Sequence, residues 1–193
     1  MKLFVNSDHN NLTDEKLIKE CIEGNVTAFN EIMTKYQKYV GQVVYKILWN
    51  KEDTKDVVQE TFIKVWKNIK SYNTKYKFTT WLYKIAVNCA YDKLRKRKRI
   101  SEFETDINHE SLYNRLGKDP NLIDQISNEE LIQIIKNLSN DLSPIQKLVF
   151  TLIDLEKMKI NECAEILEMN TNSIKANLSY ARRNIRLKIA NCI

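Results

Sequence analysis

The sequence predicts an all-α protein with two small helical domains joined by an acidic flexible linker. Three observations support this prediction. Only three glycines and two prolines occur in 193 residues, so hairpins and strand crossovers lack the turn residues they need. Apolar residues recur at helical intervals along most of the chain. From about 100 to 127 this rhythm is lost, and Ser, Asn, Asp, Gly and Pro accumulate, which disfavours continuous helix.

Composition narrows the class of protein. A hydrophobic content of 43% is enough to bury a core, and the net charge of +6 is modest. The cysteines Cys21, Cys89, Cys163 and Cys192 lie far apart, with no Cys-x-x-Cys pair, so we expect reduced packing residues without a disulfide or metal site. The chain lacks the apolar stretch of a signal peptide and any run of the ~18 apolar residues that a membrane span requires. We therefore expect a cytoplasmic protein.

The first domain is predicted to occupy residues 13–99, after a tail at 1–12, and to contain four helices. Their apolar positions are Leu17, Cys21 and Ile22; Phe29, Ile32, Met33 and Tyr36; Val57, Val58, Phe62, Val65, Trp66 and Ile69; and Phe78, Trp81, Leu82, Ile85 and Cys89.

The third of these helices carries an acidic face. Asp53, Asp56 and Glu60 follow at i, i+3 and i+7 and project from one side, with Gln59 at its edge. Such a face complements a cationic protein partner, but charged stripes often only face water. A metal site is the third interpretation; it is disfavoured because no histidine or further acidic cluster completes the ligand set.

The segment after the acidic helix is rich in aromatic and basic residues. A polar segment at 71–77 lies between two helices, where a loop could accept an extruded base, and the next helix interleaves aromatics with lysines. Residues 93–99 then hold six cations in seven positions. Alternatives stay open: Trp81 fits the core equally well, Tyr83 and Tyr91 fit partial packing, and a basic run can be a nonspecific tether or a solvated helix end. The DNA-binding candidates are Tyr72, Asn73, Lys75, Tyr76, Lys77, Trp81, Lys84, Asn88, Lys93, Arg95 and Arg97.

The predicted linker covers 100–128, and the second domain covers 129–193. Periodicity returns at 129–137, and Ser143-Pro144 marks a helix start with serine at the cap. A helix-turn-helix follows, with 162–167 as the supporting helix, Glu168-Met169 as the turn and Asn170 as the next cap. In the second helix Ile174, Leu178, Ala181 and Ile185 face inward. The outward face, which fits a DNA major groove, displays Asn172, Ser173, Lys175, Ala176, Asn177, Ser179, Tyr180, Arg182 and Arg183.

Taken together, these segments resemble the extracytoplasmic-function (ECF) sigma factors of bacterial RNA polymerase. In the first domain the motifs are Gly24-Asn-Val-Thr-Ala-Phe29 with Tyr36, Asp56–Phe62 with Trp66, and Phe78–Asn88 with the basic run. In the second they are Asp141–Phe150, Asp154-Leu-Glu156, Cys163–Leu167 and Ser173-Ile-Lys175. The resemblance covers about 13–99 and 129–190.

The resemblance implies a noncatalytic subunit of the polymerase holoenzyme. Asp53, Asp56, Gln59 and Glu60 would bind the β′ clamp helices of core polymerase, and the β subunit flap would be a further contact. The aromatic and basic residues would melt and read the −10 element, with the flipped base in the loop at 71–77. The second domain would read the −35 element, and an anti-sigma factor or a recruiting factor is a further possible partner.

Two other functions remain possible on the residues alone: a free-standing helix-turn-helix regulator of operator DNA, and a helical adaptor whose basic patches meet acidic proteins. Catalytic motifs of the Ser/His/Asp, glycine-loop or paired-acid kind are absent from the sequence, so we expect no enzyme. We also expect the acidic linker to thread a cationic polymerase channel.

The chain departs from the family pattern in the second domain. Glu168 stands where glycine is common, Lys159 stands where a Ser/Thr cap is common, and Asn177 and Tyr180 stand where arginine is common. Fewer phosphate contacts weaken salt-dependent affinity. The hypothesis is therefore that the isolated second domain binds −35 DNA weakly.

Overall fold

The structure, a computed structural model, describes residues 11–74, 77–101 and 128–190, and within these ranges all regular elements are helical. The first group comprises α1 (Asn11–Ile22), α2 (Val26–Leu48), α3 (Lys51–Asn68), a short 3-10 turn (Ile69–Ser71) and α4 (Phe78–Ser101). The second group comprises α5 (Asn128–Ser139), α6 (Pro144–Phe150), a π-helical turn (Thr151–Leu155), α7 (Ile160–Leu167) and α8 (Thr171–Ala190). The predicted all-α class is confirmed.

Helix starts in the first group are set by asparagine caps. The side-chain oxygen of Asn25 accepts hydrogen bonds from the backbone N–H groups of Thr27 and Ala28, and that of Asn50 accepts one from Asp53 at 2.9 Å. These bonds satisfy backbone donors that have no partner within the helix. The caps therefore fix where α2 and α3 begin.

Helix starts in the second group confirm the two predicted caps and show what replaces the missing cap of α7. Ser143 and Gln146 form a reciprocal capping box with Pro144 in the first turn of α6. Asn170 Oδ1 accepts from the Ser173 N–H at 2.7 Å, which caps α8. At α7, where Lys159 has no capping oxygen, Glu162 Oε2 accepts from the Lys159 N–H at 3.0 Å. Half of a capping box thus remains without the serine or threonine.

The core of the first group lies between α2, α3 and α4, which contact one another pairwise. Val44, Ile47, Val65 and Leu82 are completely or almost completely buried there. In the second group α8 packs against α6 and α7, and the shared core is built from residues such as Leu148, Leu152, Cys163 and Ile174. Burial of these side chains is the main favourable contribution to folding of each group.

The two groups also pack on each other. Helix α4 contacts both α6 and α7, and the buried apolar residues form one continuous cluster across the border. A second buried stripe on α4, formed by Tyr83, Val87, Ala90 and Leu94, follows the helical spacing i, i+4, i+7 and i+11. Helix α4 is therefore covered on two sides, which agrees with its apolar content over a wide arc.

The boundaries leave part of the prediction outside the described residues. Helix α4 runs to Ser101 and α5 begins at Asn128, so almost all of the predicted linker is not described. Residues 1–10 of the predicted tail (1–12) and the Cys192 thiol also lie outside the described residues. The domain limits and the threading hypothesis stay predictions. Among the described residues, none of the helices has the length and apolarity to cross a membrane.

Three of the four cysteines are described, and Cys21, Cys89 and Cys163 are free and buried. Burial raises the pKa of Cys21 to about 11, with a contribution from Glu20, and raises that of Cys163 to about 12. The thiolate is the reactive form, so these thiols are inert packing groups at neutral pH. Across the described ranges no group of His, Cys, Asp and Glu is suited to hold a metal ion.

Candidate functional site

The acidic face of α3 is partly closed by the basic end of α4. Asp53 is only 17% exposed and forms ion pairs with Lys93, at 2.9 Å, and with Arg97. Asp56 lies 3.4 Å from Lys93 but keeps 68% exposure. Residues proposed for a protein partner and residues proposed for DNA therefore neutralise each other in the free chain. Asp53 in particular does not lie on an open face.

The other two predicted polymerase-binding residues remain accessible. Glu60 is half exposed and pairs with Lys64 at 2.9 Å, one turn away on the same helix. The hydrogen bond to Glu60 raises the pKa of Lys64. Gln59 is exposed. Asp56, Gln59 and Glu60 thus offer a contiguous acidic and polar surface, because i,i+3 and i,i+4 positions share a face.

An aromatic pocket of about 370 Å³ forms where the 3-10 turn meets the start of α4. Its first-domain lining is Ser71, Tyr72, Asn73, Thr80, Trp81 and Lys84. The Trp81 ring is partly exposed and packs against Tyr72 and Phe78, with ring centroids 5.2 and 5.8 Å apart. The two interpretations of Trp81 thus combine: it packs against the core cluster and also lines the pocket. The pocket has the size and the aromatic wall to stack a planar base.

The other predicted DNA-binding residues on this side are placed as follows. Lys77 and Asn88 are exposed, while Lys75 and Tyr76 lie outside the described residues. Arg95 is exposed and its guanidinium lies 5.7 Å from the centre of the Tyr91 ring. Arg97 also donates to the Leu48 carbonyl at 3.2 Å. The basic run is therefore held to the protein surface at several points.

Helix α8 presents the predicted recognition face. Ile174, Leu178 and Ala181 are buried and Ile185 is half-buried, as the spacing predicts. Most of the opposite face is open: Asn172, Lys175, Ala176, Ser179, Tyr180, Arg182 and Arg183 are exposed, and Ser173 and Asn177 are half-buried. The Asn177 amide donates to the Ser173 carbonyl at 2.9 Å. Both half-buried residues are thus engaged within the helix.

Two features of α8 go beyond the sequence prediction. Arg182 is bound by Asp154 through two hydrogen bonds of 3.0 and 2.6 Å, so its guanidinium is fixed. Arg186 lines the same groove as Lys175, Arg182 and Arg183, a cavity of about 710 Å³ that reaches Ile160. Its position, i+3 from Arg183, was a signal available in the sequence.

The helix-turn-helix turn contains a residue in an unusual backbone conformation. Glu168 has φ +53°, and Lys157, which precedes α7, has φ +59°. Both lie in the left-handed region that favours glycine or asparagine. The Glu168 side chain reaches Lys84 on α4, with Oε1 2.5 Å from Nζ, and this bond lowers the pKa of Glu168.

The first helical group carries an aromatic pocket and a basic surface, and the second exposes the recognition face of α8. Together they define a two-part nucleic-acid-binding protein. Family models give the class: residues 32–100 match sigma-70 region 2 and residues 132–185 match sigma-70 region 4. The first match runs from within α2 to the end of α4, and the second spans most of the helices of the second group.

The chain belongs to the ECF sigma factors, which direct promoter-specific transcription initiation. It is 31% identical to the ECF RNA polymerase sigma-E factor of Haemophilus influenzae, over 92% of this chain and 96% of that protein. It is 28% identical to the ECF sigma factor SigW of Bacillus subtilis, over 91% and 96%. The family expected from the motifs is confirmed.

Two solved structures share the fold. CnrH, in complex with the cytosolic domain of CnrY, superposes with a TM-score of 0.61 at 18% identity and covers 92% of this chain and 97% of its own. The sigma factor RpoE of Bartonella quintana, in complex with the anti-sigma factor NepR, gives 0.60 at 22% identity, over 86% and 98%.

Proposed function

We propose that this chain is a noncatalytic initiation factor that binds core RNA polymerase, directs it to promoters with −35 and −10 elements, and helps trap the melted non-template strand. The polymerase supplies the phosphoryl-transfer chemistry, and the chain acts in the cytoplasm, where that enzyme works. The observation that carries the proposal is the presence of both sigma regions, in order, on two helical groups that each expose a nucleic-acid-binding surface.

We assign polymerase binding to α3. Asp56, Gln59 and Glu60 are accessible and together form an acidic and polar patch suited to the arginine-rich surface expected of the β′ clamp helices. Asp53 joins this patch only when Lys93 and Arg97 leave it, because both cations pair with its carboxylate. The β subunit flap is the expected second contact, through the second domain.

We assign capture of a −10 base to the aromatic pocket. Tyr72 and Trp81 supply stacking surfaces, and Asn73 and Thr80 supply polar edges. Stacking of a base on an aromatic ring contributes about 1–3 kcal/mol, which offsets part of the cost of extruding it from the duplex. Lys84 and the basic run of α4 then hold the flanking phosphates.

We assign −35 recognition to the open face of α8. Asn172, Lys175 and Tyr180 are exposed on this face and are our candidates for contacts with base edges. Arg183 and Arg186, which line the groove, are our candidates for phosphate contacts. An anti-sigma factor is a further proposed partner, because the sigma factor RpoE, which has the same fold, has been solved with the anti-sigma factor NepR bound.

In vitro transcription from a promoter library, with core polymerase and with or without the purified chain, tests the proposal. We expect specific transcripts only when the chain is present. Charge reversal at Asp56 and Glu60 together should reduce core binding by at least about tenfold, since interface charge pairs typically couple by more than 1 kcal/mol. Joint reversal of Glu23 and Glu31, two exposed acids outside α3, is the charge-matched control and should change binding little. DNA binding without any polymerase association would point to a free-standing regulator.

A further inference from the structure

The wall of the aromatic pocket is completed by the second domain. Glu165 and Ile166 of α7 line it opposite Tyr72, Trp81 and Lys84. Ile166 is almost fully buried, so this contact removes apolar surface from water. The face that the proposed function assigns to the promoter strand is thus in contact with another part of the same chain.

The contact includes an acid placed against a candidate phosphate-binding cation. Glu168 Oε1 lies 2.5 Å from Lys84 Nζ, and the carboxylate stands where a strand phosphate would pair with that lysine. Glu168 occupies a left-handed backbone position that L side chains rarely adopt. The unfavourable backbone conformation therefore accompanies a side chain that bridges the two domains.

A second ion pair joins the domains away from the pocket. Glu156, at the end of the π-helical turn, has a side chain only 2% exposed, and its Oε1 lies 2.5 Å from Nζ of Lys46 on α2. Burial, with the Glu156 charge as a further cause, raises the pKa values of Tyr39 and Tyr83, both in the first domain. This carboxylate is therefore enclosed by first-domain groups, and Lys46 compensates its charge.

We propose that α7, with Glu165, Ile166 and Glu168, competes with single-stranded promoter DNA for the aromatic pocket, so that the free chain masks its own −10 surface until the second domain moves away. This inference rests on the proposed function of the pocket. The occupant is a segment of the chain itself, held by one pair at the pocket and one at Lys46.

Lys46→Gln separates masking from simple charge effects. The substitution leaves Glu156 buried without its cation in the packed arrangement, whereas separation of the domains hydrates it, so packing is disfavoured. Removing a positive charge should weaken DNA binding on electrostatic grounds alone. The proposal predicts the opposite sign: affinity of the full chain for a fluorescent pool of random single-stranded 12-mers rises at least about fivefold. Lys55→Gln, an exposed lysine of α3, is the matched control and should bind no better than the native chain.

Domain packing is measured in the same samples by carbodiimide cross-linking, which joins adjacent amines and carboxylates without a spacer. The native chain should give a Lys84–Glu168 cross-linked peptide, and Lys46→Gln should lose most of it. If Lys46→Gln has lost helicity, Glu168→Gln replaces it, because Glu168 is exposed. A weaker Lys46–Glu156 cross-link then reports opening, and we expect a two- to fivefold gain in affinity beyond that of Asp92→Asn, which removes an exposed acid of α4 and controls for charge.

Either of two results overturns the inference. In the first, Lys46→Gln keeps the full cross-link and its affinity for single strands is unchanged. In the second, Lys46→Gln loses the cross-link without gaining affinity, while the native chain still supports specific transcription. Failure of the proposed function looks different. In that case the cross-link is lost as expected, but neither protein binds single strands and the chain directs no transcription with core polymerase.

Discussion

At the scale of single residues, Lys147 is the least expected feature of the second domain. This lysine of α6 is only 8% exposed. Burial, together with the positive charges of Arg97 and Lys136, lowers its pKa to about 8. Its stem fills apolar space while its charge is poorly solvated. The sequence motif that contains it gave no sign that the amine would face the basic end of α4.

The substitution Lys147→Met tests this description. Below pH 8 both the folded and the unfolded chain hold the proton, so the folded state bears the full cost of the buried charge. From about pH 8 to 10.4 the unfolded state binds more protons, and the stability of the native chain therefore rises with pH. At pH 7 we expect Lys147→Met to be more stable by about 1–3 kcal/mol, with the difference shrinking by pH 9.5. Urea unfolding at both pH values measures it.

Lys38→Met, on the exposed surface of α2, is the control for loss of a lysine charge and should show little difference at either pH. A Lys147→Met chain that is less stable than the native chain at pH 7 would show that the amine is well compensated, contrary to this account.

At the scale of the element, α8 distinguishes two neighbouring arginines. Arg183 is exposed and lines the open groove, whereas the Nε and Nη2 groups of Arg182 both donate to the Asp154 carboxylate. A neutralised cation releases fewer counterions when DNA binds. The two residues therefore contribute unequally to salt-dependent affinity, although the sequence places them side by side.

We expect Arg183→Ala to reduce the slope of log affinity against log salt by about 0.9, the value for one lost phosphate contact, and Arg182→Ala to reduce it by less than half of that. Fluorescence anisotropy measures the binding of the full chain to duplex DNA that carries its promoter. Repeating the measurement over about a sixfold range of salt, from about 50 to 300 mM, gives the slopes. Equal reductions would mean that Arg182 leaves Asp154 when DNA binds.

At the scale of the whole molecule, the polymerase-binding acids and the DNA-binding cations share ion pairs. Asp53 contacts both Lys93 and Arg97, which belong to a different helix and a different proposed function. Binding of polymerase or of DNA must break these ion pairs, because the Asp53 carboxylate cannot pair fully with Arg97 and with a clamp helix at the same time. The two binding events should therefore favour each other.

Asp53→Asn tests this coupling. The variant removes the ion pairs that Lys93 and Arg97 form with Asp53 and leaves the longer Lys93–Asp56 contact and the hydrogen bond from Arg97 to the Leu48 carbonyl. The free chain should therefore bind random-sequence duplex DNA about two- to tenfold more tightly at low salt, with a steeper salt slope. Asp92→Asn removes an exposed acid of α4 and controls for the change in net charge. If the two variants gain the same affinity, the Asp53 ion pairs do not restrain the basic run.

Much of the fold followed from local pattern. The apolar spacing placed α3 and α8 within a few residues but followed α2 only as far as Tyr36, although that helix continues to Leu48. Ser143 and Asn170 are predictable caps because a cap acts on backbone groups two or three residues away. The second buried stripe of α4, including Val87 and Ala90, was not recognised, although its spacing was present. The sequence alone gave no reason to expect a second domain against that helix.

The sequence by itself determined the helical class, the order of the two sigma regions and the residue types that each surface offers, because these depend on periodicity and motif spacing within one helix. Only the tertiary structure decided which charges meet. Asp53 with Arg97, Lys46 with Glu156 and Lys84 with Glu168 join residues that are 44 to 110 positions apart. Ion pairs across such separations depend on how the helices pack on one another, and the periodicity within a single helix does not determine that packing.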